Sequence, residues 1–271
     1  MDLRFRFRIP ISFLLFGLLS AGATDPGADL LNAASRGQTD QVRTLLEKGA
    51  PREAKDKDGR TALMLAAQHG YTDTVSLLLS KGADAGARDT EGFKAYGLAY
   101  LSKAKGREKV LSLLPAPPPT RVVLEAAPVL DKAFNSCFMT PHQLAERIRE
   151  VQPESMVLAA VRDVASGTDK RILELVASGG DAVFSLRVRP EAMCVLQQSA
   201  DNLQMEIDAR LVRNGSDATV WQKTYGGGLK GLKARVATSP VQYAGAYEEW
   251  AKAEAPSVFA GLVAAVLKTG E

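Results

Sequence analysis

Between residues 28 and 114, apolar positions recur at helical spacing in short runs, and the two within residues 59–89 are each closed by a glycine. "TALMLAAQHG" carries Leu63, Ala66 and Ala67 on one side and stops at Gly70. "TDTVSLLLSKG" carries Val75, Leu78 and Leu79 and stops at Gly82. Neither run is long enough to hold a helix alone in water, so each apolar side must be buried on a neighbour. That neighbour is the same pattern shifted by 33 positions. Ala66-Ala67 falls on Ala33-Ala34, Gly70 on Gly37, Val75 on Val42, Leu78-Leu79 on Leu45-Leu46 and Gly82-Ala83 on Gly49-Ala50. One shift forward, Asp56 and Gly59 meet Asp89 and Gly92, and Leu65-Ala66 meets Leu98-Ala99. A two-residue insertion in "KAKGR" then carries the pattern to Val110, Leu113 and Leu114. Self-similarity at this period predicts a stack of paired helices, with about three repeats.

The pattern changes after "PAPPPT" (115–120), a short stiff spacer. "TRVVLEAA" predicts a strand. "TPHQLAERIREV" predicts a helix with Thr140 as cap and Pro141 at its first position. "PESMVLAAVRDVA" and "TDKRILELVASGG" predict two more helices, the second stopped by Gly179-Gly180. In "DAVFSLRVR" and "NLQMEIDARLVR" apolar and polar residues alternate, the half-buried strand pattern. "NGSD" (214–217) turns the chain into "ATVWQKTYGG", an antiparallel hairpin. Helical material closes the chain from Val241 to Lys268, broken or restarted at Pro256. The expected fold class is therefore α+β in two domains: a helical solenoid, then an antiparallel sheet covered by helices.

The repeat residues carry a resemblance. Asp56, Gly59, Thr61, Leu63, Ala66, Ala67, Gly70, Val75, Leu78, Leu79, Gly82 and Ala83 resemble the ankyrin repeat in register, and the resemblance spans residues 28–114. Ala62 and Met64 stand where that family prefers Pro and His, and Tyr71 where it prefers a second His, departures that would loosen the turn. Repeat one has Pro26 where Gly59 stands and reads as a cap. Repeat three, "FKAYGLAYL", is aromatic where a terminal repeat is normally polar, which suits docking on the chain that follows. The resemblance implies that partners are held at the turn tips and on the exposed side of the first helix. Those positions are Lys57, Asp58, Arg60, Gln68 and His69 in repeat two, and Thr90, Glu91, Phe93, Leu101 and Ser102 in repeat three. Their mixed charge with Phe93 suits a protein better than an anionic polymer. The alternative is that they are solvated turn residues of a spacer. The strand, hairpin and "ATVWQKTY" of the second half resemble accessory domains of bacterial envelope proteins, the TolB amino-terminal and penicillin-binding-protein-activator types. No functional residue carries over from that resemblance.

Charge and the N-terminus add a compartment. Arg4, Arg6 and Arg8 against Asp2 supply two of the three net positive charges of the 271-residue chain, leaving about +1. Nucleic acid is therefore not an expected partner. The arginines precede the apolar run "IPISFLLFGLLS" and the small residues Ala21-Gly22-Ala23, the pattern of a cleaved secretory signal over residues 1–23. An uncleaved anchor is the alternative. The mature chain is expected to be soluble and exported to the periplasm or beyond, with no transmembrane helix. Cys137 and Cys194 would suit a disulfide there, contributing roughly 4 kcal/mol in the chain-entropy model; two free buried thiols are the other possibility.

Chemistry is sparse. His142 lies five residues after Cys137, but a thiol and its base normally meet from distant segments. Neither His142 nor His69 pairs with a second ligand at metal spacing, so no metal or cofactor is expected. "YGGGLKGLKAR" lacks the strand-to-helix setting and the Lys-Ser/Thr ending of a phosphate loop, although Lys230, Lys233 and Arg235 could touch an anionic polymer or a partner. Glu248 and Glu249 are adjacent on a helix and point apart. No catalytic residue is assigned. The expected function is non-enzymatic holding of a protein partner in the bacterial envelope. The alternatives are an enzyme with a site in residues 121–271 and a secreted effector.

Overall fold

A computed structural model describes residues 25–126, 152–167, 172–192, 203–216, 218–228 and 240–269. The signal-like stretch, the helix expected over 140–151, Cys137, Cys194, His142, Lys230, Lys233 and Arg235 lie outside the described residues.

Six short helices form the first part: α1 (Pro26–Ser35), α2 (Thr39–Glu47), α3 (Ala62–Gln68), α4 (Thr72–Ser80), α5 (Ala95–Leu101) and α6 (Arg107–Leu113). α1, α3 and α5 stack in one row and α2, α4 and α6 in a second. Alanine at the inner-row positions allows close approach: Ala34, Ala66, Ala67 and Ala99 are completely or almost completely buried. Leu30, Val42, Leu63, Val75, Leu78 and Val110 fill the seam between the rows. Burial on the next repeat replaces the stability that helices of seven to ten residues lack alone. Asp25 caps α1 by accepting from the Gly27 N–H, with Pro26 at the first helical position. The Thr39 and Thr74 hydroxyls bond across repeats at 2.8 Å.

The turn before α3 is not loosened by its departures from the family pattern. Thr61 is the N-cap and accepts from the Met64 N–H, while the Met64 sulfur accepts from the Thr61 N–H, each at 3.4 Å. Methionine thus closes a reciprocal cap of the capping-box kind, with a soft acceptor.

The second part is a five-stranded sheet of order β2-β1-β3-β4-β5, built from β1 (Thr120–Ala126), β2 (Leu173–Val176), β3 (Ala182–Ala192), β4 (Leu203–Arg213) and β5 (Thr219–Gly228). It is mixed rather than antiparallel: β1 runs parallel to both β2 and β3, and only β3-β4-β5 alternate. The difference lies in β1, parallel to β3, and in "LELV", expected as part of a helix and found as β2. Leu173 is buried, and the stretch pairs with Thr120–Val123. A short apolar run reads equally as buried strand or helix; pairing with β1 decides it.

α7 (Pro153–Ser166) and α8 (Pro240–Thr269) pack along each other and cover one face of the sheet. Val122, Phe184, Leu186, Val188, Ile207, Ala209 and Leu211 point into that layer, all at 1% exposure or less. The opposite face carries polar pairs such as Thr224 to Asp208 and Arg210 to Thr219.

α8 is one continuous helix, not broken at Pro256. The proline faces outward, while Ala255, Val258 and Phe259 beside it are buried and hold both halves of the helix to the same surface. By length and composition Glu248–Thr269 could cross a membrane, which corrects the expectation that no such stretch follows residue 23. Here that helix is a core element, with Trp250, Leu262 and Val266 buried. Its last turn reaches α5, so the aromatic third repeat does dock on following chain: Tyr96 and Phe93 are buried in a core that runs from Leu30 to Leu267.

Candidate functional site

The two turn tips of the stack are copies of one device. In the first, Asp56 Oδ1 accepts from the N–H groups of Asp58 and Arg60, and Gly59 turns the chain at φ +74. In the second, Asp89 Oδ1 accepts from Glu91 and Phe93, and Gly92 turns at φ +90. An aspartate side chain that mimics a backbone acceptor, followed by a residue at positive φ, fixes such a turn. The tips are then laced together. The Asp58 carbonyl accepts from both the N–H and the hydroxyl of Thr90, at 3.0 and 2.9 Å. Lys55 Nζ donates to the Arg88 carbonyl at 3.1 Å, and Arg60 Nε lies 3.8 Å from the Asp89 carboxylate, whose side chain is 1% exposed.

This lacing sorts the ten expected partner positions. Lys57 is exposed at the first tip, with the partly exposed Asp58 beside it. Arg60 faces Asp89, and Thr90 is bound to Asp58, so both hold the tips together. His69 is exposed at the end of α3, its ring 5.9 Å from that of Tyr71, with Gln68 partly exposed next to it. One repeat on, Leu101 is exposed at the end of α5 and Ser102 half-buried. Lys57, His69 and Leu101 remain open to a partner.

Phe93 does not. It is 7% exposed, which corrects the expectation of a surface aromatic. Lys268 Nζ, from the last turn of α8, sits 4.5 Å from its ring centroid and 3.2 Å from Glu91 Oε2. Arg88 donates to the carbonyls of Gly92 and Lys268, at 2.8 and 2.6 Å. Neither Arg88 nor Lys268 is singled out by the sequence pattern. Arg88 stands one place before the motif aspartate, and Lys268 lies far along the chain, with only its basic charge at a helix end as a signal.

Among the described residues, no group of His, Cys, Asp or Glu could hold a metal ion. Glu248 accepts from Lys252 Nζ at 2.6 Å, and that bond and charge hold its carboxyl below the ordinary range, away from an acid poised near neutrality. Burial pushes the Tyr225 hydroxyl up to about 12.

No curated protein matches the chain, and the envelope-type resemblance of the second half finds no support. Residues 17–115, however, match a family model described as "Ankyrin repeats (3 copies)". The stack of paired helices is thus a run of three ankyrin repeats, a module that implies protein partners.

Proposed function

We propose that this chain is an exported, non-enzymatic binding protein whose ankyrin repeats hold a protein partner in the bacterial envelope, with the sheet and its two helices as a rigid support. The observation that carries the reading is that Lys57 at the first tip, and His69 and Leu101 at the ends of α3 and α5, stay exposed on a stack whose other tip contacts are used internally. Exposed positions that mix a cation, an imidazole and an apolar side chain suit a protein surface. The signal-like residues 1–23 support export.

The test is affinity capture from an envelope fraction with the full chain, beside a Lys57→Glu/His69→Ala/Leu101→Ala variant. These positions lie outside the buried seam, so the variant should keep its helical signal and thermal midpoint while losing the captured protein. Capture undiminished in a folded variant would reject the repeats as the binding surface. In the same preparation, a mature chain starting near Thr24 would support export, and an intact amino terminus would count against it.

A further inference from the structure

Three side chains at the second tip are engaged by the chain's own last helix. Lys268 lies over the Phe93 ring and pairs with Glu91, Leu267 packs toward Gly97, and Arg88 binds the Lys268 carbonyl. Glu91 and Phe93 are positions from which a repeat of this kind grips a partner. We infer that the end of α8 is an internal ligand of repeat three, a latch that withholds this tip until it is displaced. The occupant also defines what fits in its place: the end of a helix that presents a leucine and then a lysine. The leucine meets the small Gly97 surface, the ammonium meets the Glu91 carboxylate and the Phe93 face, and the guanidinium of Arg88 takes a terminal carbonyl.

The arrangement suits release. The ammonium and carboxylate are both partly exposed, at 34% and 59% of their side-chain surface. Their attraction is therefore screened by salt. Upstream, α8 is anchored by buried apolar residues such as Val258 and Leu262, so release means fraying only the last turn, which exposes Val266 and Leu267 while the rest of the helix stays in place.

The inference rests on the reading of the tips as a partner surface, and its test needs no partner, so the two can fail separately. Hydrogen exchange is followed by mass spectrometry in the full chain, in Lys268→Glu and in Lys268→Arg. In Lys268→Glu, amides of residues 89–98 should exchange about tenfold faster, while those of β3 and β4 stay unchanged. Lys268→Arg, which keeps the cation over the ring, should behave as the parent. Raising salt from about 20 mM to about 500 mM should speed the same amides in the unmodified chain, a readout that survives even if a variant fails to fold. Unchanged exchange over 89–98 in both Lys268→Glu and high salt would overturn the latch. So would a rise spread equally over repeat three and the sheet, because the contact would then belong to one inseparable core.

Discussion

A single carboxylate decides the geometry of each tip, and burial sets what it is worth. Asp89 is almost wholly buried, satisfies two backbone N–H groups and faces Arg60. Asp89→Ala leaves those donors without an acceptor and should cost about 2–3 kcal/mol in urea unfolding. Asp56 makes the matching bonds in a more open turn. Asp56→Ala should cost only about 1 kcal/mol, because water can replace the lost acceptor. Equal losses would show that burial is not the distinguishing factor. The Tyr225 hydroxyl is the converse case, a buried polar group with no hydrogen-bond partner among the described residues, packed against Gly261. Its proton is held to about pH 12, whereas the unfolded chain gives it up near the ordinary tyrosine value of about 10. Native protein therefore binds the extra proton between those values, so this residue's contribution is intact below pH 10 and is lost as pH rises towards 12. Tyr225→Phe should be at least as stable at pH 7 and should show a shallower decline above pH 10. Parallel declines for the two proteins would remove Tyr225 as the cause.

Among the elements, α8 is the one whose sequence argues against its structure. Pro256 removes the bond that its N–H would donate to Lys252 and crowds the same carbonyl, yet the helix runs through it. Packing on both sides of the proline overrides its local preference. Pro256→Ala, at an exposed position, should then raise stability by about 2 kcal/mol with an unchanged denaturant slope. A fall in stability would mean that the proline shapes a bend the packing needs. The same contest explains what the sequence made legible. Repeats were readable because Ala66-Ala67, Gly70 and Leu78-Leu79 recur in register, so each element is specified several times. Strands β3 and β4 were readable from alternation at Phe184, Leu186 and Val188 and at Ile207, Ala209 and Leu211, and β5 from the "NGSD" turn that precedes it. β2 was not, because four residues rich in leucine and valine carry no decisive period and take their state from β1.

For the molecule as a whole, the open part of the candidate site could be read from the repeat register, and its closed part could not. Nothing local in "VLKTG" tells that Lys268 returns to Phe93, since that contact joins residues 175 positions apart. The sheet has a further property of this kind. Its second strand in space, β1, is its first in the chain, and the registers Thr120 to Leu173 and Val122 to Ala182 show that both its neighbours come much later. During synthesis the helical hairpins upstream can close largely on segments already made, because apart from the contact of repeat three with α8 they pack on adjoining repeats. "RVVLE" instead emerges with two bare edges and must wait for β2 and β3 to follow it from the ribosome. Until then it is the stretch most exposed to pairing with another nascent chain, the hazard that any unfinished β-sheet carries.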